Sequence, residues 1–383
     1  MSRLPEHADV VVIGGGVMGA SAAFHLAEAG VEVVLLERAD LAAGSTVKAA
    51  GGVRANFSDA LNIEMGRRSL DAFEHFGERP GQDIDLHQPG YLFVLTRPQD
   101  VLLFEESVRL QNQLGVASRM LTPAEALALS PYLNLDGVLA AAYSPRDGHC
   151  SPESVVLGYA GGARRHGATV LTHTEVLGIT SADGTIRSVQ TSAGSISTNA
   201  VMDCAGAWSP SIAAMVGLDL PVTPYKREIV VTEPMPQLPE NLAFTIDYAT
   251  SFYYHREGAG LLMGFSDQSV PAGFDLGRDE QFLERLAELA EQRAPAVLEA
   301  GVRTGWAGLY EVTPDHNALL GEWQGVSRFF YATGFSGHGF LQGPAVGEIL
   351  RDQYLNRQPF IDVSPLRVER FAEGNLRPER NIV

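Results

Sequence analysis

Three glycines and one acid near the start of the chain carry its clearest chemistry. Gly14, Gly16 and Gly19 form a G-x-G-x-x-G pattern directly after the apolar run Val10–Ile13. Gly14 allows a tight turn, Gly16 lets backbone approach a pyrophosphate, and Gly19 lets a helix pack close to a strand. The start of that helix offers free N–H groups and a partial positive charge to phosphates. Glu37 follows the second apolar run, from Val31 to Leu36. There it can accept hydrogen bonds from ribose hydroxyls, and its charge disfavours a 2′-phosphate, hence NADP. Glycine-rich turns are common by themselves. This one is flanked by a strand and a helix and is followed by the acid, so it reads as a dinucleotide site. The motif leaves NAD and FAD both open.

The elements that must position these residues form a strand–turn–helix–strand unit of parallel type. The next stretch, ADLAAGSTVKAAGGVRANFSD, is rich in small residues and holds two cations, Lys48 and Arg54. Such a loop suits an extended cofactor lying along it; the plainer reading is an ordinary surface loop. Ser58 or Asp59 can cap a helix running to near Gly77. His87 to Thr96 reads as a strand, and Thr122, Pro123 and Glu125 make a capping arrangement for a later helix. Ser151 opens another helix that Gly167 ends. Strand and helix alternate again at Ala200 to Cys204, followed by Ala205, Gly206, Ala207 and Trp208. From Pro221 to Phe265 the texture changes to short strands separated by turns, the pattern of an antiparallel sheet. Gln281 to Arg293 is amphipathic, with Phe282, Leu286 and Leu289 on one face. The stretch beyond Gln358 shows little pattern and is expected to wrap the surface.

Length sets the outer limits. The 383 residues allow two domains or two intertwined lobes, and 45% apolar with 19% charged residues fits a globular protein. A net charge of −18 argues against nucleic acid or an anionic membrane surface as partner. Cys150 and Cys204 give neither a disulfide framework nor a metal-ligand pattern and read as buried small hydrophobes. No signal-peptide core precedes the first strand, and no apolar run is long enough to span a membrane, so the cytoplasm is the expected location.

Several segments together resemble the D-amino-acid-oxidase superfamily of FAD enzymes. They are IGGGVMGASAAFHLAEAGVEVVLLER, GSTVKAAGGVR, the AGAW at Ala205 to Trp208, TPDHNALLG and YATGFSGHGF. The chain looks most like the branch of sarcosine oxidases, dimethylglycine dehydrogenases and proline dehydrogenase β-subunits. The late TPDH and GFSGHGF segments are far more specific than the glycine turn, and they select FAD. The resemblance implies an α/β fold with a Rossmann-type FAD-binding lobe from residues 1–85, 145–220 and 302–383. A second α+β lobe, containing an antiparallel sheet, would come from residues 86–144 and 221–301.

Carried over residue by residue, the resemblance places Gly14, Gly16 and Gly19 at the pyrophosphate and Glu37 at the adenosine ribose. Arg38 and the Val176 backbone would lie beside the adenine. Ser45, Thr46, Lys48 and Gly51 belong to the loop along the ribityl chain, and Ala205, Gly206 and Trp208 to the AGAW segment. Gly337, His338, Gly339 and Phe340 match the loop at the flavin's pyrimidine edge. There the helix that GHG opens could stabilise charge at N1–C2=O; His338 is read chiefly as buttressing that turn. Arg54 matches a substrate-carboxylate arginine, whose fork geometry suits the task; a salt-bridged arginine near the flavin is the alternative. Tyr254 matches an active-site tyrosine, with Tyr310 a second candidate. Neighbouring Tyr253 must point to the opposite face of the strand.

Relatives with covalent flavin use a cysteine where this chain has Gly308, or a histidine where it has Lys48, so non-covalent FAD is expected. Two lysines of simple sarcosine oxidases, one tied to reaction with oxygen and one to the substrate carboxylate, are replaced by Leu262 and Leu341. The implied function is FAD-dependent oxidation of a secondary or N-methylated amino acid, or a related amine, to an imine that hydrolyses. Oxygen and an electron-transfer partner both stay open as acceptor, and so does the oligomeric state. A flavin-binding scaffold subunit without turnover and an NAD-dependent dehydrogenase are the alternatives.

Overall fold

The apolar run Val10–Ile13 is buried at every residue because parallel neighbours cover both its edges. In the computed structural model, which describes residues 4–381, it lies inside a six-stranded sheet. The order is Leu319–Glu322, Phe329–Thr333, Val201–Asp203, Val10–Ile13, Val33–Leu36 and Thr169–Leu171. All neighbours are parallel except the first pair. Parallel sheets need both faces covered, which explains why these strands read as unbroken apolar runs. Helix Val17–Glu28 is buried almost all round. It packs between Pro152–Arg165 and Gly339–Tyr354, so the glycine turn and the late GHG segment meet on one layer.

A second, eight-stranded sheet stands beyond it. Its order is Val302–Val312, Thr223–Thr232, Gly260–Gly264, Tyr253–Glu257, Phe244–Asp247, Tyr91–Leu95, Ala140–Ser144 and Arg119–Leu121. Pairing is antiparallel except between Phe244–Asp247 and Tyr91–Leu95. One boundary read from the sequence moves. The resemblance puts residues from 302 in the first lobe, yet Val302–Val312 hydrogen-bonds along the whole of Thr223–Thr232. The chain returns to the first sheet only after Val312.

Period-two alternation gives the second sheet two different faces. On one, Val230, Tyr254, Leu261 and Met263 pack against Phe282 and Leu286 of helix Glu280–Arg293. On the other, Ile229, Tyr253, Phe244 and Tyr91 face the first sheet's loops. The local signals hold as well. Asp59 caps helix Ala60–Glu74 by accepting from Leu61 N, and the Thr122–Glu125 capping box forms. Both cysteines are buried and free. Among the described residues, no helix is long and apolar enough to cross a membrane.

Candidate active site

A cavity of about 650 Å³ runs between the two sheets. At one end lie Gly14, Gly16, Glu37, Arg38 and Val176; at the other, Arg54, Tyr253, Tyr310 and His338. Its size and mixed lining are those of a small-molecule or cofactor site.

The first end is made by the glycine turn. Gly14 has φ +110°, and a side chain there would collide with the Cys204 carbonyl. Gly19 does not line the cavity. It sits behind the turn, where a Cβ would come within 1.9 Å of the Gly14 carbonyl oxygen, so its absence lets the helix seat against the strand. The Glu37 carboxylate is held rigidly, accepting from Gly15 N at 2.7 Å and Ala39 N at 2.8 Å. Arg38 lies 4.3 Å over the Trp208 ring, a flat wall beside Ala205 and Gly206. Ser45, Thr46, Lys48 and Gly51 line the floor, and Thr46 Oγ1 accepts from Val17 N.

Lys48 is half-buried rather than exposed. Its Cβ would lie 2.9 Å from a Cβ at Gly308, so the missing side chain at Gly308 makes room for the lysine stem. Leu341 lines the cavity, and Leu262 is buried beside Tyr253 and Ile229.

At the other end the loop Phe335–Phe340 turns into helix Gly339–Tyr354. Gly337 has φ +99°, and a Cβ there would strike the Tyr310 ring. His338 is buried, and neither ring nitrogen has a partner. Burial, with the Arg54 charge nearby, holds its imidazole down to about 3, so it is neutral. Arg54 is buried as well. Nη1 donates to Asn56 Oδ1 at 3.0 Å and Nη2 to the Asn381 carbonyl at 2.7 Å. The alternative of a salt-bridged arginine is not what the structure shows: among the described residues no carboxylate lies within ion-pair distance of Arg54. Asp147 secures the same loop through Ala55 N, and burial pushes its carboxyl up to about 7.

The segment that holds Arg54 from behind belongs to the patternless C-terminal stretch, for which the sequence predicts a surface wrap. Instead Glu379 and Asn381 are buried. The Glu379 carboxylate accepts from Ser58 N and Oγ, Asp59 N, Asn62 Nδ2, Arg380 N and Asn381 N. It sits at the start of helix Ala60–Glu74, where the helix dipole favours an anion.

One predicted residue is corrected. Tyr254 points away from the cavity, and its hydroxyl bonds to Ser130 Oγ at 2.6 Å. Burial raises that phenol to about 12, a satisfied core tyrosine. Strand parity brings Tyr253 into the cavity in its place, beside Phe244 and Ile246. Sequence reasoning also missed Tyr91, Arg227 and Glu311, which line the cavity. Arg227 shares a strand face with Ile229, a signal present in KREIVV once the inward phase is known. Glu311 follows Tyr310, and burial lifts its carboxyl to about 7.

The arrangement fits an elongated dinucleotide. Helices Val17–Glu28 and Gly339–Tyr354 both open on the cavity with no cap from the N-cap side chain; Pro98–Gln113 and Ser209–Ala214 also lack one, whereas Asp59, Thr122, Ser151 and Asp279 cap the helices that follow them. Thr46 Oγ1 takes the Val17 N–H, and the remaining N–H groups of the two helix starts on the cavity face one space with an unpartnered buried imidazole.

Comparison with known proteins agrees. Residues 9–353 match the family described as FAD dependent oxidoreductase. Mitochondrial dimethylglycine dehydrogenase of Mus musculus is 32% identical over 96% of this chain, which covers 44% of that protein. The chain thus spans less than half the length of this curated relative. The crystal structure of L-proline dehydrogenase from P. horikoshii superposes with a TM-score of 0.93 at 32% identity, covering 98% of this chain and 100% of that one. Glycine oxidase from Geobacillus kaustophilus gives 0.85 at 26% identity, over 95% and 98% of the two chains. The dinucleotide that the glycine turn left open is FAD, and the chain belongs to the FAD dependent oxidoreductase family.

Proposed function

We propose that the protein oxidises the α-carbon–nitrogen bond of a secondary or N-methylated amino acid, with Arg54 receiving the substrate carboxylate. The observation that carries this reading is a buried guanidinium that meets no carboxylate among the described residues and faces the cavity. A buried charge without a partner is costly, and an arginine fork matches a carboxylate. The names of the relatives, which act on dimethylglycine, proline and glycine, support an amino-acid amine as substrate.

When bound, FAD supplies the acceptor for the α-hydrogen as hydride, leaving an imine that water hydrolyses. The chain's own residues do the rest. Gly14, Gly16 and Glu37 would hold the adenosine-diphosphate end, and the Gly337–Phe340 loop would meet the ring system. Ile229, Phe244, Ile246 and Tyr253 form an apolar wall that excludes water and favours the neutral amine. Tyr310 borders the substrate space. His338, held neutral, would offer its free ring nitrogens to a bound group for hydrogen bonding and carries no proton to the reaction. With Gly308 and Lys48 at the positions of covalent attachment, the flavin is held non-covalently.

Anaerobic titration with a panel of N-methyl amino acids tests the reading: the yellow colour should bleach. No bleaching across the panel would favour a flavin-binding scaffold. Arg54→Leu should keep the flavin and raise the half-saturating amino-acid concentration about 100-fold, the loss of a charge-assisted hydrogen-bonded pair. An unchanged titration would refute the role. Acid precipitation should release the flavin to the supernatant. Admitting air to bleached protein then reports the acceptor, and slow return of colour is expected with leucine at 262.

A further inference from the structure

Arginines at four positions separate into two groups. Arg293 and Arg370 are buried, and each meets a carboxylate at 2.8 Å, Asp247 and Asp315 respectively. Among the described residues, Arg54 and Arg227 have none. Arg227 Nη1 donates to two backbone carbonyls, Lys226 O at 2.8 Å and Asp267 O at 3.4 Å, and its buried Nε has no partner. The acids near it are engaged elsewhere: Glu228 by Lys226 at 3.0 Å, and the Asp267 carboxylate by Arg285 at 2.5 Å. Both unpaired guanidinium groups line the same cavity. Arg227 stands 5.2 Å from the Tyr310 ring centre, and the Tyr310 phenol feels the charge of both arginines. The cofactor's phosphates belong to the glycine turn at the far end, so they neutralise neither.

We propose that Arg227 is a second anion receptor and that the preferred substrate is an N-alkyl amino acid carrying a second carboxylate. This rests on the reading of Arg54 given above. One guanidinium takes the α-carboxylate. The other takes the side-chain or N-substituent carboxylate, and the apolar wall between them faces the carbon chain. Two cations in a cavity with an apolar wall select against a monocarboxylate, because it would leave one of the two guanidinium groups without an anion.

The test compares N-methylglycine with N-methylaspartate, N-methylglutamate and iminodiacetate in anaerobic bleaching titrations of the FAD-loaded protein. At least one dicarboxylate should half-saturate at a concentration about tenfold below that of N-methylglycine. Arg227→Leu should collapse that ratio to about one, and Arg227→Lys should restore part of it. Arg54→Leu should weaken both classes. A wild-type protein that prefers no dicarboxylate overturns the inference. So does an Arg227→Leu variant, loaded with flavin, that weakens mono- and dicarboxylates alike, since a single carboxylate would then bridge both arginines. Perturbation of the flavin spectrum by succinate, glutarate and propionate separates failure of turnover from failure of the second receptor. Tighter binding of a diacid that depends on Arg227 supports the receptor even if no amine bleaches the flavin. Equal binding of all three overturns it.

Discussion

At one end of the cavity, Gly14, Gly16 and Glu37 come from one short stretch of chain, and what they offer is mostly backbone. At the other end, Arg54, Arg227, Tyr253, Tyr310 and His338 arrive from separate segments, and what they offer is side chains. The first end recognises a group shared by many proteins, so it needs only a turn, a helix start and a fixed acid. The second must suit one substrate, and its groups are set by strand parity, loop contacts and a distant C-terminal segment. Failure should therefore look different at the two ends. Damage to the first should remove the cofactor, while damage to the second should leave the protein yellow and alter what it binds.

The sharpest way to break this contrast is Gly19→Val. A Cβ at this position lies 1.9 Å from the Gly14 carbonyl oxygen, which no rotamer can relieve. The helix must move off the strand, and its N-terminus leaves the phosphates. The flavin-to-protein ratio of purified variant should fall below about a tenth of wild type, with the leucine variant of Arg54 as the flavin-retaining control. A fully loaded Gly19→Val protein would mean that the turn is not what holds the cofactor.

Legibility in the sequence follows the same division. The glycine turn, the Thr122 capping box and the helix opening at Gly339 are local devices, and each was readable because the residues that make it are neighbours. The Tyr253–Tyr254 pair shows where local reading stops. Alternation dictates opposite faces but not which is inward, and that choice is made by Phe282 and Leu286, on a helix later in the chain. Arg227 was hidden by the same missing parity. The membership of Val302–Val312 was hidden because strand pairing with Thr223–Thr232 is a long-range property. Family resemblance supplied Arg54, yet the carbonyl that orients it belongs to Asn381, in a segment without periodicity.

That segment gives a second, intermediate perturbation. Glu379 fastens the tail to Ser58, Asp59 and Asn62, and the tail in turn presents the Asn381 carbonyl to Arg54. Tyr248 adds a bond from its hydroxyl to the Arg380 carbonyl at 2.7 Å. Glu379→Gln keeps the shape but turns an amide donor toward backbone donors. The expected cost is about 2–3 kcal/mol of stability, together with about a tenfold rise in the half-saturating amino-acid concentration and no loss of flavin. Glu379→Asp should recover little, because the shorter stem withdraws the carboxylate from the helix start. If the substrate titration of the glutamine variant overlays that of wild type, Arg54 is oriented without the tail.

The smallest effect tests whether the cofactor end, though built from backbone, is free of titrating side chains. Asp203 closes the strand Val201–Asp203 beneath Ala205 and Gly206. Its Oδ1 accepts from Ala205 N at 3.0 Å and Ser209 Oγ at 2.8 Å, while Oδ2 is buried with no partner. Burial pushes this carboxyl up to about 7, from an ordinary value of 3.8. The sign follows from linkage. Between those two values the unfolded chain has released the proton and the folded chain retains it, so folding loses stability as pH rises, and the loss levels off above about 7. Asp203→Asn removes the titration while keeping an oxygen to accept from Ala205 and Ser209. The stability of the asparagine variant relative to wild type should therefore climb by about 2–3 kcal/mol between pH 5 and pH 7.5, then stay flat. Denaturant midpoints of both proteins, taken across that range at constant salt, measure the difference. A pH-independent difference would show that Asp203 ionises freely in the folded protein. The cofactor end would then carry a buried negative charge beneath the phosphates, which its backbone donors would have to outweigh.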